Sequence, residues 1–592
     1  MVGSEEWYRG SDRNCDRLRA ITAEVLEMDV DGVDVRAHFY EDLGASSLEK
    51  AEILARIERE FSVTLSDGSI ARLDSVGDAL AVIDGSDCGA PVNLVEFFVG
   101  RHLDSPRKDV PAYIDSDLGE VGYTELFRAA GAFANLLSDN GVVPGSRVMV
   151  LADDSVATVV AVLGLWWHGC AAVPVNPALS DKEIGFIAAD SGVKFGYVDV
   201  SGTRRNRLAA VLPDIGQLDG DHIRESILRQ QRSDELPAPQ QQWLLDQEAL
   251  VQYTSGSTGA PKGVAHRASA LQWVPSGFGR VAALAPGDIV LSTAKLSFAY
   301  GFGNSLLLPL RAGATTVLLN GGVDAQVVAS ALRRHRPTVL FSVPRLYAAL
   351  AESFDHRDSR LRLAVSAGEA LPADLSERVM RRLGVPLVNS LGTTEALYIV
   401  LATTPAEPGP GTIGVPVAGV RATVRDQDGR ILDGDDVQGR LHIAGPSVAA
   451  GYLDRPEATR ETFADGGAYT GDIVQRARGG PIHYLGRADD FLNLGGNKVA
   501  PAEIEGVVRA VAGVRDCAVV GVADGHGLQQ AVLFVVVDGD REPNAVRRAV
   551  IACLRAEVAS FKRPGRVELV DALPTTWTGK LARNRLRAIG AN

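Results

Sequence analysis

The chain has 592 residues, of which 46% are hydrophobic and 23% charged, and its formal net charge is −14. At ~100–200 residues per domain this length implies roughly three or more folding units, and the composition excludes a disordered or collagen-like chain. The acidic balance offers no basic footprint for a nucleic-acid backbone or an anionic membrane, so neither is expected as a partner. Five cysteines, Cys15, Cys88, Cys170, Cys517 and Cys553, stand without a Cys-x-x-Cys pair. That pattern argues against a disulfide framework or zinc site and for reduced thiols in the cytoplasm. Met1 to Tyr8 shows no basic region followed by an apolar one, so no secretory signal is expected.

In chain order, Leu18, Ile21, Val25 and Leu26 recur at helical spacing. After a loop from Phe39 to Ala45, a second amphipathic helix carries Leu54, Ile57 and Phe61, and a short third one runs from Val76 to Ile83. Residues 1–85 thus read as a small helical bundle, and 86–93, rich in Gly, Asp and Pro, as a linker. Over 94–488, strand-like runs at Arg147 to Leu151, Thr338 to Phe341 and Leu361 to Val365 alternate with helical patterns, which predicts a large α/β domain. Within it, the apolar stretch from Val156 to Val175 reads as a buried helix running into a buried strand rather than a membrane span. Residues 489–592 predict a small α+β domain, with strand-like runs at Cys517 to Val522 and Ala531 to Val537 and an amphipathic stretch at Ala545 to Leu554. The expected class is multidomain: an all-α bundle, a large α/β domain and a small α+β domain.

The segment Tyr253-Thr-Ser-Gly-Ser-Thr-Gly-Ala-Pro-Lys-Gly-Val264 interleaves glycines with hydroxyls, so backbone N–H and side-chain O–H groups can surround phosphate oxygens. It is not a Walker loop, because Lys262 follows Pro261 instead of a glycine. Five further motifs follow in order: Ser366-Ala-Gly-Glu-Ala-Leu371, Leu391-Gly-Thr-Thr-Glu395, Tyr469-Thr-Gly-Asp472, Gly486-Arg-Ala-Asp-Asp490 and Pro574-Thr-Thr-Trp-Thr-Gly-Lys580. With these, the chain from Leu94 onward resembles the adenylate-forming superfamily of acyl- and aryl-CoA ligases, peptide-synthetase adenylation domains and luciferases. The resemblance implies ATP or AMP contacts from Thr254, Ser255, Gly256, Ser257, Thr258, Gly259 and Lys262, from Gly368, Glu369 and Ala370, and from Asp472 and Arg487. It implies Thr394 on the α-phosphate, Glu395 on Mg2+, Lys580 as the catalytic lysine, Asp489 as the inter-domain hinge, and Gly495 and Gly496 beside the thiol tunnel. The chemistry asks for such groups: a carboxylate attacking ATP brings anions together, and cations and oriented donors must offset the repulsion.

The N-terminal unit contains Asp42-Leu-Gly-Ala-Ser-Ser-Leu48. It resembles the acyl- and peptidyl-carrier motif Leu-Gly-x-Asp-Ser-Leu, with Ser46 where the family has Asp. The resemblance implies 4′-phosphopantetheine on Ser47, installed by a phosphopantetheinyl transferase. Ser46-Ser-Leu-Glu49 has capping-box spacing, so Ser46 is expected to cap a helix while Ser47 stays free.

The run from Lys295 to Asn304 resembles its counterpart in benzoate-CoA ligases. Phe298, Ala299, Tyr300, Gly392, Tyr398 and Ile399 are then expected around the ring of an aromatic acid. Amino-acid-activating relatives typically place Asp where Ala299 stands, which argues against an α-amino acid. Tyr398 replaces the usual His and offers a phenol to an amino or hydroxyl substituent. Gly301-Phe-Gly303 lacks the third glycine of a dinucleotide fingerprint, and His266 is read as structural. The expected function is ATP-dependent activation of a substituted benzoate and transfer to a phosphopantetheine thiol, in secondary-metabolite biosynthesis with a downstream acyl-accepting enzyme. The alternatives are free CoA as acceptor, releasing aryl-CoA, and a non-catalytic nucleotide-binding scaffold. The ring substituents and loading in cis or in trans stay open.

Overall fold

A computed structural model describes residues 17–33, 37–40, 42–61, 75–76, 79, 93–200, 203–212, 215–219, 243, 245–254, 261–354, 359–434, 436–476, 480–494, 497–523, 529–539, 541–575 and 581–590. At the N-terminus, residues 17–25 are helical and a second helix spans Ser47–Phe61. They pack Leu18, Phe39, Ile53 and Ile57 into one apolar cluster with Val76 and Ala79. Most of the expected third helix, and the linker up to residue 92, lie outside the described residues.

The large α/β region is built on two sheets. One runs in the order Gly216–Asp219, Phe195–Asp199, Arg147–Ala152, Ala171–Val175, Glu248–Thr254, Lys262–Arg267. It is parallel until its last pair, which is an antiparallel hairpin. The other has a parallel centre of Leu387–Gly392, Leu363–Ser366, Val339–Ser342, Ile289–Ser292, Thr315–Val317 and Pro111–Asp115, with antiparallel strands at both ends. The apolar stretch forms the helix Val156–His168, every residue of it buried, ended by Gly169 at φ 83° and followed by the buried strand Ala171–Val175. At ~1.5 Å per residue that helix is about 20 Å long, short of a ~30 Å hydrocarbon core. No helix among the described residues is long and apolar enough to cross a membrane. Trp166 and Trp167 lie in the core, where Trp166 donates its indole N–H to the Ala249 carbonyl at 2.9 Å.

An antiparallel sheet of Arg421–Arg425, Val437–Ala444, Ala468–Arg476 and Ile482–Arg487 follows. The C-terminal region pairs Val514–Ala523 with Gln529–Val537 and adds Arg566–Leu569 in parallel, with helices Pro501–Arg509, Pro543–Glu557 and Arg583–Gly590 around it. It is the α+β arrangement expected from the alternation of strand-like and amphipathic runs.

Candidate active site

Three motif loops are each carried across the base of a hairpin. Thr254 pairs with Lys262, flanking Ser255, Gly256, Ser257, Thr258 and Gly259. Leu494 pairs with Asn497, flanking Gly495 and Gly496. Thr575 bridges to Leu581, and Ala582 N–H donates to Pro574 O at 2.8 Å, flanking Lys580. Those eight loop residues lie outside the described residues. Their anchors are regular backbone pairs, so each loop has a fixed point of departure.

Glu395 lies in a short 3-10 turn, Thr394–Ala396, that follows the strand Leu387–Gly392. One carboxylate oxygen accepts from the Tyr452 hydroxyl at 2.5 Å and the other from the Thr393 hydroxyl. Burial, with the Glu395 charge beside it, raises the Tyr452 pKa and keeps the donor protonated. Lys262 places its ammonium 4.8 Å from the centre of the Tyr452 ring, within cation–π range. Tyr452 is held against the hairpin of Glu248–Thr254 and Lys262–Arg267 by an isolated bridge to Val264 and by Leu453 N–H donating to Gly263 O at 2.9 Å. Glu395, Lys262 and Tyr452 thus form one half-buried group. Sequence reading missed Tyr452, which is 57 residues from its carboxylate partner and in no motif.

Asp472 and Arg487 face each other across neighbouring strands, 3.2 Å apart as an ion pair, and Arg487 also donates to Thr470 O at 2.7 Å. Gly471 between them has φ 77°, and a Cβ there would come 2.7 Å from the Arg487 guanidinium. The backbone conformation favours glycine, and a side chain there would also push the Arg487 guanidinium from its place. Gly368 also has positive φ, at 90°, and Glu369 Oε2 accepts from Arg345 N–H at 3.4 Å. Ala370 is exposed. Asp489 lies in the exposed turn Ala488–Asp490, after the last strand of the antiparallel sheet.

Of the residues expected around an aromatic ring, Tyr300, Gly392, Tyr398 and Ile399 come together. Phe298 precedes the short helix Ala299–Phe302, and both Phe298 and Ala299 are half-buried. Tyr300 and Tyr398 stack with ring centroids 6.4 Å apart, and Phe278 meets Tyr398 edge-on at 5.8 Å. Tyr300 donates to Val365 O at 3.0 Å. The Tyr398 hydroxyl donates to Asn304 Oδ1, and Asn304 Nδ2 donates to Ser292 Oγ at 3.2 Å. Burial, with Tyr300 adjacent, pushes the Tyr398 pKa well up, so the phenol stays protonated. A Cβ at Gly303 would run into the Tyr398 ring and one at Gly301 into the Lys295 carbonyl, so these glycines serve close packing. Leu397, before Tyr398, has φ 66° and ψ −43°, and Tyr398 N–H donates to Ala396 O at 2.7 Å. This is a γ-turn of the rare, strained sign. It delivers Tyr398 and the buried Ile399 beside Gly392, which pairs with Ile399. Asn304 was quoted in the sequence motif without a role; nothing in the sequence joins it to Tyr398, 94 residues away. His266 is buried in its strand, and burial pushes its pKa down to about 3, so it is neutral at pH 7.

At the N-terminus, Ser46 Oγ accepts from Glu49 N–H at 3.3 Å and Glu49 Oε2 accepts from Ser46 N–H at 2.7 Å, a reciprocal capping box. Ser47, the first residue of helix Ser47–Phe61, is exposed, and Leu48 beside it is 81% exposed.

The family model described as AMP-binding enzyme matches residues 102–453, and that of the AMP-binding enzyme C-terminal domain matches 503–580. The chain belongs to the AMP-binding enzyme family. A third model, phosphopantetheine attachment site, matches residues 16–83. Benzoate–CoA ligase of Thauera aromatica is 34% identical over 513 residues, covering 84% of this chain and 96% of that protein. The 3-hydroxybenzoate–CoA/4-hydroxybenzoate–CoA ligase of the same organism is 31% identical, covering 84% and 97%. Among solved structures, a benzoate CoA ligase from Burkholderia xenovorans LB400 matches with TM-score 0.76 at 32% identity, covering 84% of this chain and 99% of that one. The anthranilate CoA ligase AuaEII in complex with anthranoyl-AMP matches with TM-score 0.75 at 29% identity, covering 84% and 97%. The chain is an ATP-dependent acid–thiol ligase of the adenylate-forming superfamily, preceded by a carrier domain.

Proposed function

We propose that this ligase activates a benzoate bearing an amino or hydroxyl group and passes it to the thiol of a carrier. In the first half-reaction a carboxylate oxygen attacks the α-phosphorus of ATP and the bond to pyrophosphate breaks, leaving an aryl-AMP. In the second, a thiol sulfur attacks the acyl carbon, loses its proton, and AMP departs. Residues 1–85 form the carrier in this reading, 94–488 the large adenylating domain and 489–592 the mobile small domain.

Thr254, Lys262, Thr394 and the glycine-rich loop 255–259 hold phosphate oxygens, Gly368 to Ala370 line the adenine, and Asp472, oriented by Arg487, accepts from the ribose hydroxyls. Lys580 supplies a positive charge when negative charge gathers at the α-phosphorus, and Asp489 is the swivel that later withdraws it and brings Gly495 and Gly496 to the thiol. Glu395 fits a magnesium ion, because it is a hard-oxygen donor whose two oxygens are aligned by hydroxyls. Glu395 would hold such an ion, which would supply positive charge to offset that of the phosphates. Ser47 fits the pantetheine arm because its neighbour Ser46 takes the capping duty, leaving an exposed hydroxyl. The arm supplies a mobile thiol when attached, installed by a phosphopantetheinyl transferase.

The observation that supports the aryl reading is the ring-stacked Tyr300–Tyr398 pair with its Asn304 amide, and Ala299, next to Tyr300 in the chain, offers no carboxylate to an α-ammonium. A phenol whose proton goes to Asn304 keeps a lone pair for an N–H or O–H on the substrate ring. Carboxylate-dependent pyrophosphate exchange with a panel of acids tests it. Amino- and hydroxybenzoates should exchange faster than benzoate and far faster than α-amino acids; preference for an α-amino acid, or no exchange with any acid, would reject it. A second reading, release of free aryl-CoA, is favoured by the relatives named as CoA ligases. Soluble aryl-CoA against acylated protein separates the two.

A further inference from the structure

The C-terminal helix Arg583–Gly590 begins three residues after Lys580 and reaches back across the sequence to the turn that holds Asp489. Arg587 donates to the Asp490 carboxylate at 2.8 Å and to the Asp489 carbonyl at 3.3 Å. Arg583, one turn earlier on the helix, pairs with the other Asp490 oxygen at 3.5 Å and with Glu505 at 2.8 Å, and it donates to Val519 O at 2.6 Å. Glu505 is 3% exposed and also accepts from Val519 N–H at 2.9 Å and pairs with Arg509 at 3.3 Å. Leu586, between the two arginines, is fully buried in the small domain's apolar cluster. The two arginines therefore join Asp490 to the interior of the small domain.

The atoms gripped decide what this does. The carbonyl oxygen of Asp489 and everything after it lie downstream of both soft dihedrals of that residue, φ and ψ. A clamp on that oxygen and on the Asp490 carboxylate leaves Asp489 free to turn while locking the next peptide plane to the C-terminal helix. Resting on the hinge and lysine assignments above, we propose that Arg587, with Arg583 behind it, is a positioning residue that confines the swivel to Asp489. It makes the peptide leaving the hinge and the helix Arg583–Gly590 one rigid piece. A rotation at Asp489 is then delivered without slack to the helix that begins three residues after Lys580. Long charged side chains at a helix end are ordinarily solvated. Here Arg587 takes two acceptors on one turn, and its neighbour Arg583 takes three acceptors: Asp490, Glu505 and Val519.

Arg587→Ala is the test, since Arg583→Ala would take one of its two cations from the buried Glu505 and endanger folding. In the full chain, hydrogen exchange of the peptide spanning residues 488–494 should speed up by about tenfold, the factor expected from one lost charge-assisted hydrogen bond. The kcat of adenylation should fall by a similar factor with KM for ATP changed less than about twofold, because a loosened lysine costs transition-state and not ground-state binding. Asp490→Asn should reproduce part of both effects and add little on top of Arg587→Ala. Unchanged exchange in Arg587→Ala, or additive effects of the two substitutions, would overturn the clamp. Asp489→Pro distinguishes failure of the clamp from failure of the hinge itself. A fixed φ should let adenylate form while blocking thioester formation, and equal loss of both would reject the hinge assignment and with it the functional half of the proposal.

Discussion

Replacing Tyr398 with Phe removes one oxygen and leaves the ring. In the native protein that oxygen donates to Asn304 Oδ1, and Asn304 is 0% exposed, so water cannot take over. Leaving the buried acceptor short of a donor should cost about 1–3 kcal/mol of stability. The ring keeps its contacts with Phe278 at 5.8 Å and Tyr300 at 6.4 Å, and Asn304 keeps its bond to Ser292, so no cavity opens beyond one oxygen. If the same oxygen accepts from a substituent on the substrate, its loss should also narrow the preference for a hydroxy- or aminobenzoate over benzoate by ~1 kcal/mol, about fivefold in the ratio of kcat/KM values. Pyrophosphate release with each acid measures the ratio, and denaturant unfolding measures the stability. Lower stability with an unchanged ratio would make Tyr398 a packing residue and refute its part in substrate choice.

Lys580→Ala should depress adenylation by roughly three decades with far less effect on ATP binding, since a charge ~4 Å away at an effective dielectric near 20 is worth ~4 kcal/mol; an undiminished rate in single-turnover assays would remove the assignment. Asp154 is buried, its pKa raised from 3.8 to about 7 chiefly by desolvation, and it accepts from Leu296 N–H at 3.0 Å. The folded state therefore holds a proton that the unfolded chain releases, and stability falls as pH rises from about 4 to 7. Asp154→Asn, which keeps the acceptor without the charge, should gain on the wild type by up to ~4 kcal/mol above pH 7 and by nothing near pH 4, read from denaturant midpoints at the two pH values; equal effects at both would show that Asp154 does not titrate in this range. Ser46→Ala should cost the carrier ~1 kcal/mol of stability through the lost cap, seen as faster hydrogen exchange in helix Ser47–Phe61, and leave modification of its neighbour intact.

Local chemistry was legible in the sequence and long-range pairing was not. The glycine-rich and hydroxyl-rich loops announce themselves because turn residues act on their own backbone, and the Ser46 cap follows from a spacing of three residues. The helix Val156–His168 and the strand after it were readable from the apolar stretch Val156 to Val175. Strand ends differ from expectation by a residue or two, as at Val339–Ser342 and Leu363–Ser366, where propensity is weak against the register set by neighbouring strands. Tyr452 with Glu395, Asn304 with Tyr398, and Arg583 with Glu505 are each brought together by sheet and helix packing across 57 to 94 residues. No local pattern encodes such meetings. The strained turn at Leu397 was equally hidden, because a leucine at positive φ is held by its surroundings and not by its own preference.

The central claim is that the acid activated in the large domain ends on Ser47 of the same family of chain. Purified protein is treated with a broad-specificity phosphopantetheinyl transferase and CoA, then with ATP, magnesium and a hydroxy- or aminobenzoate, and the intact mass and the modified peptide are read by mass spectrometry. The reading predicts the arm on Ser47, a further increment for the acyl group that hydroxylamine removes, and neither increment in Ser47→Ala, which should still exchange pyrophosphate. Modification at Ser46, no modification of the wild type, or accumulation of soluble aryl-CoA without acyl-protein would contradict it.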